Sequence, residues 1–103
     1  MRLAHRVWTG GAVPGESAAR AELVREGYAV YRWSDAPGAR YEPHAHDDDE
    51  CLWVLAGGIT FEVGGASYTL RAGDRLELPA GTVHAATAGP GGATYLVGER
   101  VHP

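Results

Sequence analysis

Three residue types are missing from this chain altogether. It has no lysine, asparagine or glutamine, so all nine basic residues are arginines. Loss of the thermolabile amides fits a heat-adapted source, a thermophile. There is no basic block and no arginine-aromatic stripe, and the net charge is -4, which argues against nucleic acid as a partner. The single cysteine, Cys51, excludes an internal disulfide and any four-thiolate metal centre. No run approaches the roughly 18 to 20 apolar residues that cross a bilayer. The opening "MRLAHRVWTGG" lacks the apolar core of a signal peptide. The expectation is a soluble, cytoplasmic protein with neither membrane nor nucleic acid among its partners.

What the chain does have is turn residues in quantity. Fifteen glycines and six prolines in 103 residues, 45% of them hydrophobic, point to short elements around one core rather than long helices. Two cores would each be too small, so residues 1–103 form a single domain. Residues 1–27 read as an N-terminal extension: a short strand at Leu3 to Trp8, a loop "TGGAVPG", and a helix over Glu16 to Glu26. Strong helix formers dominate that helix, Glu16 and Arg20 sit at i,i+4, and Gly27 follows as a stop. A hairpin turning at Glu26 and Gly27 is the competing reading.

Residues 28–99 read as the barrel proper. Eight short strands are expected, at 28–33, 39–46, 50–57, 58–63, 66–70, 74–79, 82–88 and 93–99, rich in β-branched and aromatic residues and cut by turn signals. Gly57-Gly58 and Gly64-Gly65 are the sharpest hairpin signals. The fold class is therefore all-β, a sandwich or barrel with one short N-terminal helix.

The chemistry concentrates in "HAHDDDE", His44 to Glu50. Side chains two apart on a strand share a face, so His44 and His46 can reach one point. Asp47, Asp48 and Asp49 read as a solvated turn, after which Glu50 opens the next strand and can return to that point. Glu50, Leu52 and Val54 share one face of that strand, while Cys51 and Trp53 share the other. A carboxylate heading an apolar face needs a counter-charge, and a metal would supply it. His84 lies far along the chain, where antiparallel pairing can bring it to the same place. Two or three imidazoles and one carboxylate suit a transition metal, with zinc, iron, manganese, nickel and copper all admissible. Magnesium and calcium are disfavoured, since they prefer oxygen ligands.

Two stretches then resemble the cupin family. Gly38, five residues, His44, Ala45, His46, three residues, Glu50, six residues and Gly57 match the first family motif. Gly73, five residues, Pro79, Ala80, Gly81, two residues and His84 match the second, but Ala88 stands where that motif has asparagine. The resemblance implies a small jelly-roll β-barrel in which His44, His46, Glu50 and His84 bind one divalent transition metal. It also implies a homodimer formed through sheet extension. Its members include oxygenases, isomerases, decarboxylases, storage proteins and sensing domains, so it implies no single reaction.

Strand alternation proposes Leu52, Val54, Phe61, Leu76, Leu78 and Ala86 as pocket walls for a small organic molecule. Tyr41 falls on the face opposite His44 unless Pro43 disturbs the strand. Trp33, Trp53, Tyr41, Tyr68 and Tyr95 read as packing residues, of which one or two reach the pocket. Cys51 reads as a small buried hydrophobe, and His5 and His102 have no ligand-like partners. Three functions are expected: an oxygenase or related oxidoreductase using the metal, a non-catalytic metal-dependent binding or sensing module, or a structural barrel whose metal only stabilises the fold.

Overall fold

Glycine decides where the long strands of this protein bend. The computed structural model describes residues 1–102. Its elements are β1 (Ala4–Arg6), α1 (Glu16–Arg25), β2 (Ala29–Asp35), β3 (Arg40–His44), β4 (Asp49–Val63), β5 (Ala66–Arg71), β6 (Arg75–Leu78) and β7 (His84–Arg100). β4 and β7 pair antiparallel from Asp49 opposite Arg100 to Glu62 opposite Ala85. The first half of β4 also pairs with β6 and its second half with β5. β7 pairs with β3 at its start and β2 at its end. Two layers result, β1-β6-β4-β7-β2 and β5-β4-β7-β3, sharing their two central strands and enclosing the core. This is the jelly-roll barrel expected from the sequence.

The strand count differs from the eight expected. Gly57-Gly58 is not a hairpin: β4 continues through it, with register shifts between Val54 and Ala56 and between Gly57 and Ile59. Gly57 adopts φ 73°, and Gly92, next to its β7 partner Ala93, adopts φ 75°. A Cβ on Gly57 would lie 2.2 Å from the Gly92 carbonyl oxygen. The two backbones meet where the barrel turns its corner, and paired glycines serve that bend as well as they would serve a reversal. The expected break between 88 and 93 is likewise absent, because β7 passes through the same corner. Gly64-Gly65 does reverse the chain, with positive φ at both residues and Val63 opposite Ala66.

The helix ends one residue before the expected limit, in a Schellman arrangement. The Tyr28 N–H donates to the Leu23 carbonyl and the Gly27 N–H to that of Val24, with Gly27 at φ 92°. Arg20 and Glu16 form the i,i+4 pair at 3.0 Å. Ala19 and Leu23 pack on Tyr28, Cys51, Trp53 and Leu96, so α1 covers the outer face of the first layer. Arg75 fastens that cover, reaching Glu26 at the helix end at 2.8 Å and 3.0 Å and lying 4.7 Å over the Trp53 ring. Burial pushes the Cys51 thiol up to about 11, which suits an inert packing group. The inner core comprises Val54, Ile59, Leu70, Leu76, Leu78 and their neighbours, each full burial contributing about 1.5–3 kcal/mol. Among the described residues, no helix is long and apolar enough to cross a membrane.

Candidate metal centre

His44 ends β3 and His84 begins β7, and the two are direct cross-strand partners. His46 follows just beyond the end of β3. The ring centroids of His44 lie 4.4 Å from those of His84 and 4.9 Å from those of His46, and His46 and His84 are 5.3 Å apart. One ring nitrogen from each imidazole lies within 4.8 Å of the others. Nδ1 of His44 is 2.6 Å from the Glu42 carbonyl oxygen, and Nδ1 of His84 is 2.9 Å from that of Thr82. A carbonyl can only accept, so each Nδ1 carries the proton and each Nε2 is left with a lone pair. That is the arrangement of a metal-binding histidine whose ring is fixed by its second nitrogen. Burial, together with the two neighbouring imidazoles, holds His84 below the usual histidine range, in the neutral form that metal binding requires. The donor set fits a transition metal.

Glu50 stands beside this group without closing it. Its Oε2 is 3.5 Å from His46 Nε2, and among the described residues only the three histidines are mutually within 4.8 Å. It is 5% exposed and lies directly opposite Glu99 in the β4–β7 ladder. Burial first, then Glu99 and Asp48, push its carboxyl up to about 7.

Backbone contacts hold the two halves of the site together. The Gly81 N–H donates to the His46 carbonyl at 2.8 Å, and the Ala80 N–H donates to Asp49 Oδ1 at 2.8 Å. Asp49 is therefore no part of a solvated turn. It is 2% exposed, its other neighbour is His102 Nδ1 at 3.3 Å, and the Ala80 N–H holds its carboxyl below the usual range. His5 lies apart, edge-on to Tyr68 at 5.7 Å.

A cavity of about 200 Å³ opens from the cluster into the barrel. Comparison with known proteins agrees with this architecture: residues 31–97 match the family model described as Cupin domain. The chain belongs to the cupin family. Solved structures similar to this cupin include a protein of unknown function from Rhizobium leguminosarum, at TM-score 0.68 and 20% identity over 73% of this chain and 71% of that one. A cupin-2 domain containing protein from Shewanella frigidimarina gives TM-score 0.62 and 24% identity over 71% and 70%. A cupin superfamily protein from Desulfitobacterium hafniense gives 0.66 and 16% over 98% and 79%. Among curated proteins nothing matches in sequence.

Within the cupin, Leu52, Phe61 and Ala86 line the cavity, with Val97 beside them. Val54, Leu76 and Leu78, expected there, are not lining residues and belong to the packed core. The reason is topological. Leu76 and Leu78 sit on β6, across β4 from the strand that carries His84, and Val54 is fully buried beside the corner. Ala88, at the asparagine position of the second motif, is buried and donates its N–H to the Ala39 carbonyl at 2.8 Å.

Tyr41 shares the cavity with His44. Between them the register slips, since Tyr41 faces Ala86 and His44 faces His84, three residues on β3 against two on β7. Pro43 lies in that bulge and places both side chains on one face. Sequence reasoning allowed one or two of Trp33, Tyr41 and Tyr95 to reach the pocket; all three do, and Tyr31, which it did not consider, completes the wall. Behind it, Asp35 accepts from the Tyr41 hydroxyl, from Trp33 Nε1 at 3.0 Å and from the Tyr95 hydroxyl at 2.6 Å. The alternation Tyr31, Trp33, Asp35 on β2 is the signal that could have found it.

Proposed function

We propose that this cupin is a mononuclear transition-metal protein that takes a small organic molecule into its barrel and acts on it as an oxygenase or other oxidoreductase. The observation that carries the reading is the trio of imidazoles, two of them locked by carbonyls so that Nε2 of each is free. His44, His46 and His84 would hold the ion, with Glu50 as the fourth ligand. An ion so held supplies Lewis acidity and, if redox-active, electron transfer to a molecule beside it. Leu52, Phe61 and Val97 give the cavity apolar walls beside the histidines. Released from the ion, Glu50 would instead serve as a proton-carrying group at the cavity end, 3.5 Å from His46, since burial pushes its free carboxyl up to about 7.

One observation favours the second reading, a metal-dependent binding or sensing module without turnover. Among the described residues Glu50 is the only carboxylate that lines the cavity. Its use as a ligand would leave no other carboxylate base on the wall.

The test is elemental analysis of anaerobically purified protein beside His44→Ala and Glu50→Ala variants, followed by oxygen-uptake assays with candidate ligands. The expected result is about one equivalent of a transition metal in the native chain and less than a tenth of that in His44→Ala. A native chain without stoichiometric metal, indistinguishable from its variants, overturns both readings. Metal and ligand binding without oxygen uptake or ligand turnover leaves the second.

A further inference from the structure

The cavity's charge and hydrogen-bonding balance is one-sided. Its lining includes no arginine, and the chain has no lysine to supply a cation. Around it stand Glu50, Glu99 opposite Glu50, and Asp35 behind the aromatic wall. The donors of Trp33, Tyr41 and Tyr95 are already used. Trp33 Nε1 lies 3.0 Å from both Asp35 Oδ1 and the Tyr41 hydroxyl oxygen, and the hydroxyls of Tyr41 and Tyr95 both donate to Asp35. The wall therefore offers ring faces and oxygen lone pairs, with the Asp35 charge spread through the hydroxyls it binds. Tyr31 and Trp33, 44% and 48% exposed, extend the same surface to solvent. At about 200 Å³ the space is smaller than the range that takes drug-sized ligands, so its occupant is of fragment size.

We propose that the Trp33, Tyr41, Tyr95 and Asp35 wall selects a small organic cation, an ammonium or guanidinium on a compact body, as the ligand of this cavity. Ring faces attract a cation, more strongly as water is excluded. Acceptor oxygens pair with its N–H groups, and the Asp35 carboxylate behind them opposes an anion at that wall. The inference deepens the reading above and depends on it only in placing the ligand in the same cavity.

The test is calorimetric titration of the purified chain, metal-free and zinc-loaded, with 2-phenylethylamine and its uncharged counterpart 2-phenylethanol. The amine is expected to bind at least tenfold more tightly than the alcohol. Asp35→Asn should cut that ratio below threefold, and Trp33→Leu, a change at an exposed position, should weaken the amine at least fivefold. Equal binding of the two probes, absence of amine binding, or an amine preference unchanged in both variants overturns the proposal. A chain that takes no zinc but keeps the preference overturns only the metal reading. A zinc-binding chain without the preference overturns only this one.

Discussion

Asp49 and Glu50 are neighbours at the start of β4 and almost fully buried, with 2% and 5% exposure, yet their carboxyls are pushed in opposite directions. Asp49 meets a backbone N–H and the His102 ring, and its charge is favoured. Glu50 meets another carboxylate across the ladder, and its charge is opposed. The same division runs through the sheet. On the outer face Arg75 is paired with Glu26 at 2.8 Å and Glu77 at 3.2 Å beneath α1. On the inner face three imidazoles and Glu50 gather without a cationic side chain among them. The outer charges complete the fold, whereas on the inner side a charge on Glu50 meets no arginine or lysine and is opposed.

The outer face is where a substitution should cost most. Arg75→Ala strands Glu26, leaves Glu77 to Arg6 alone and uncovers Trp53, so a loss of about 3 kcal/mol is expected in urea denaturation, with metal content per folded chain unchanged. A loss below about 1 kcal/mol would show that the paired charges do not secure α1.

On the inner face the sign reverses. The folded Glu50 carboxyl keeps its proton up to about pH 7, whereas the unfolded one gives it up near 4.3, so metal-free stability falls as pH rises between those values. Glu50→Gln should remove that fall and raise metal-free stability at pH 8 by roughly 3 kcal/mol, with no gain at pH 4. Equal effects at both pH values would mean that Glu50 is not short of a counter-charge.

Asp49→Asn should act more weakly and with the opposite pH dependence. The folded carboxyl lies below the usual range, so its contribution is present above about pH 3.9 and disappears as pH falls through the folded value. The variant is expected to lose about 1 kcal/mol at pH 7, the difference closing in acid denaturation.

How much of this the sequence showed depends on the range of each contact. His44 and His46 are a local pattern, since period-two geometry needs nothing beyond the strand itself. The helix at Glu16 and the turn at Gly64-Gly65 were legible for the same reason. The adjacency of His84 to His44 was accessible through motif spacing, because it rests on pairing between distant strands. Gly57-Gly58 misled because positive φ serves a tight turn and a sharp bend equally, and only the nearby Gly92 backbone separates them. Asp49 looked like its two solvated neighbours, and nothing local announced the Ala80 N–H that draws it inward. Leu76 and Leu78 follow the right alternation on the wrong strand. The Asp35 network joins β2, β3 and β7, a convergence that no single stretch of sequence records.

The corner at Gly57 and Gly92 has one more consequence. Because β4 and β7 run through it, each layer borrows its middle from the other, and neither can peel away with its ladder intact. Opening to solvent and closing again are thus one cooperative event for the whole sandwich. Assembly, which must bring residues near 50 to partners near 99 before much local structure rewards it, is expected to be slow for a chain of this size.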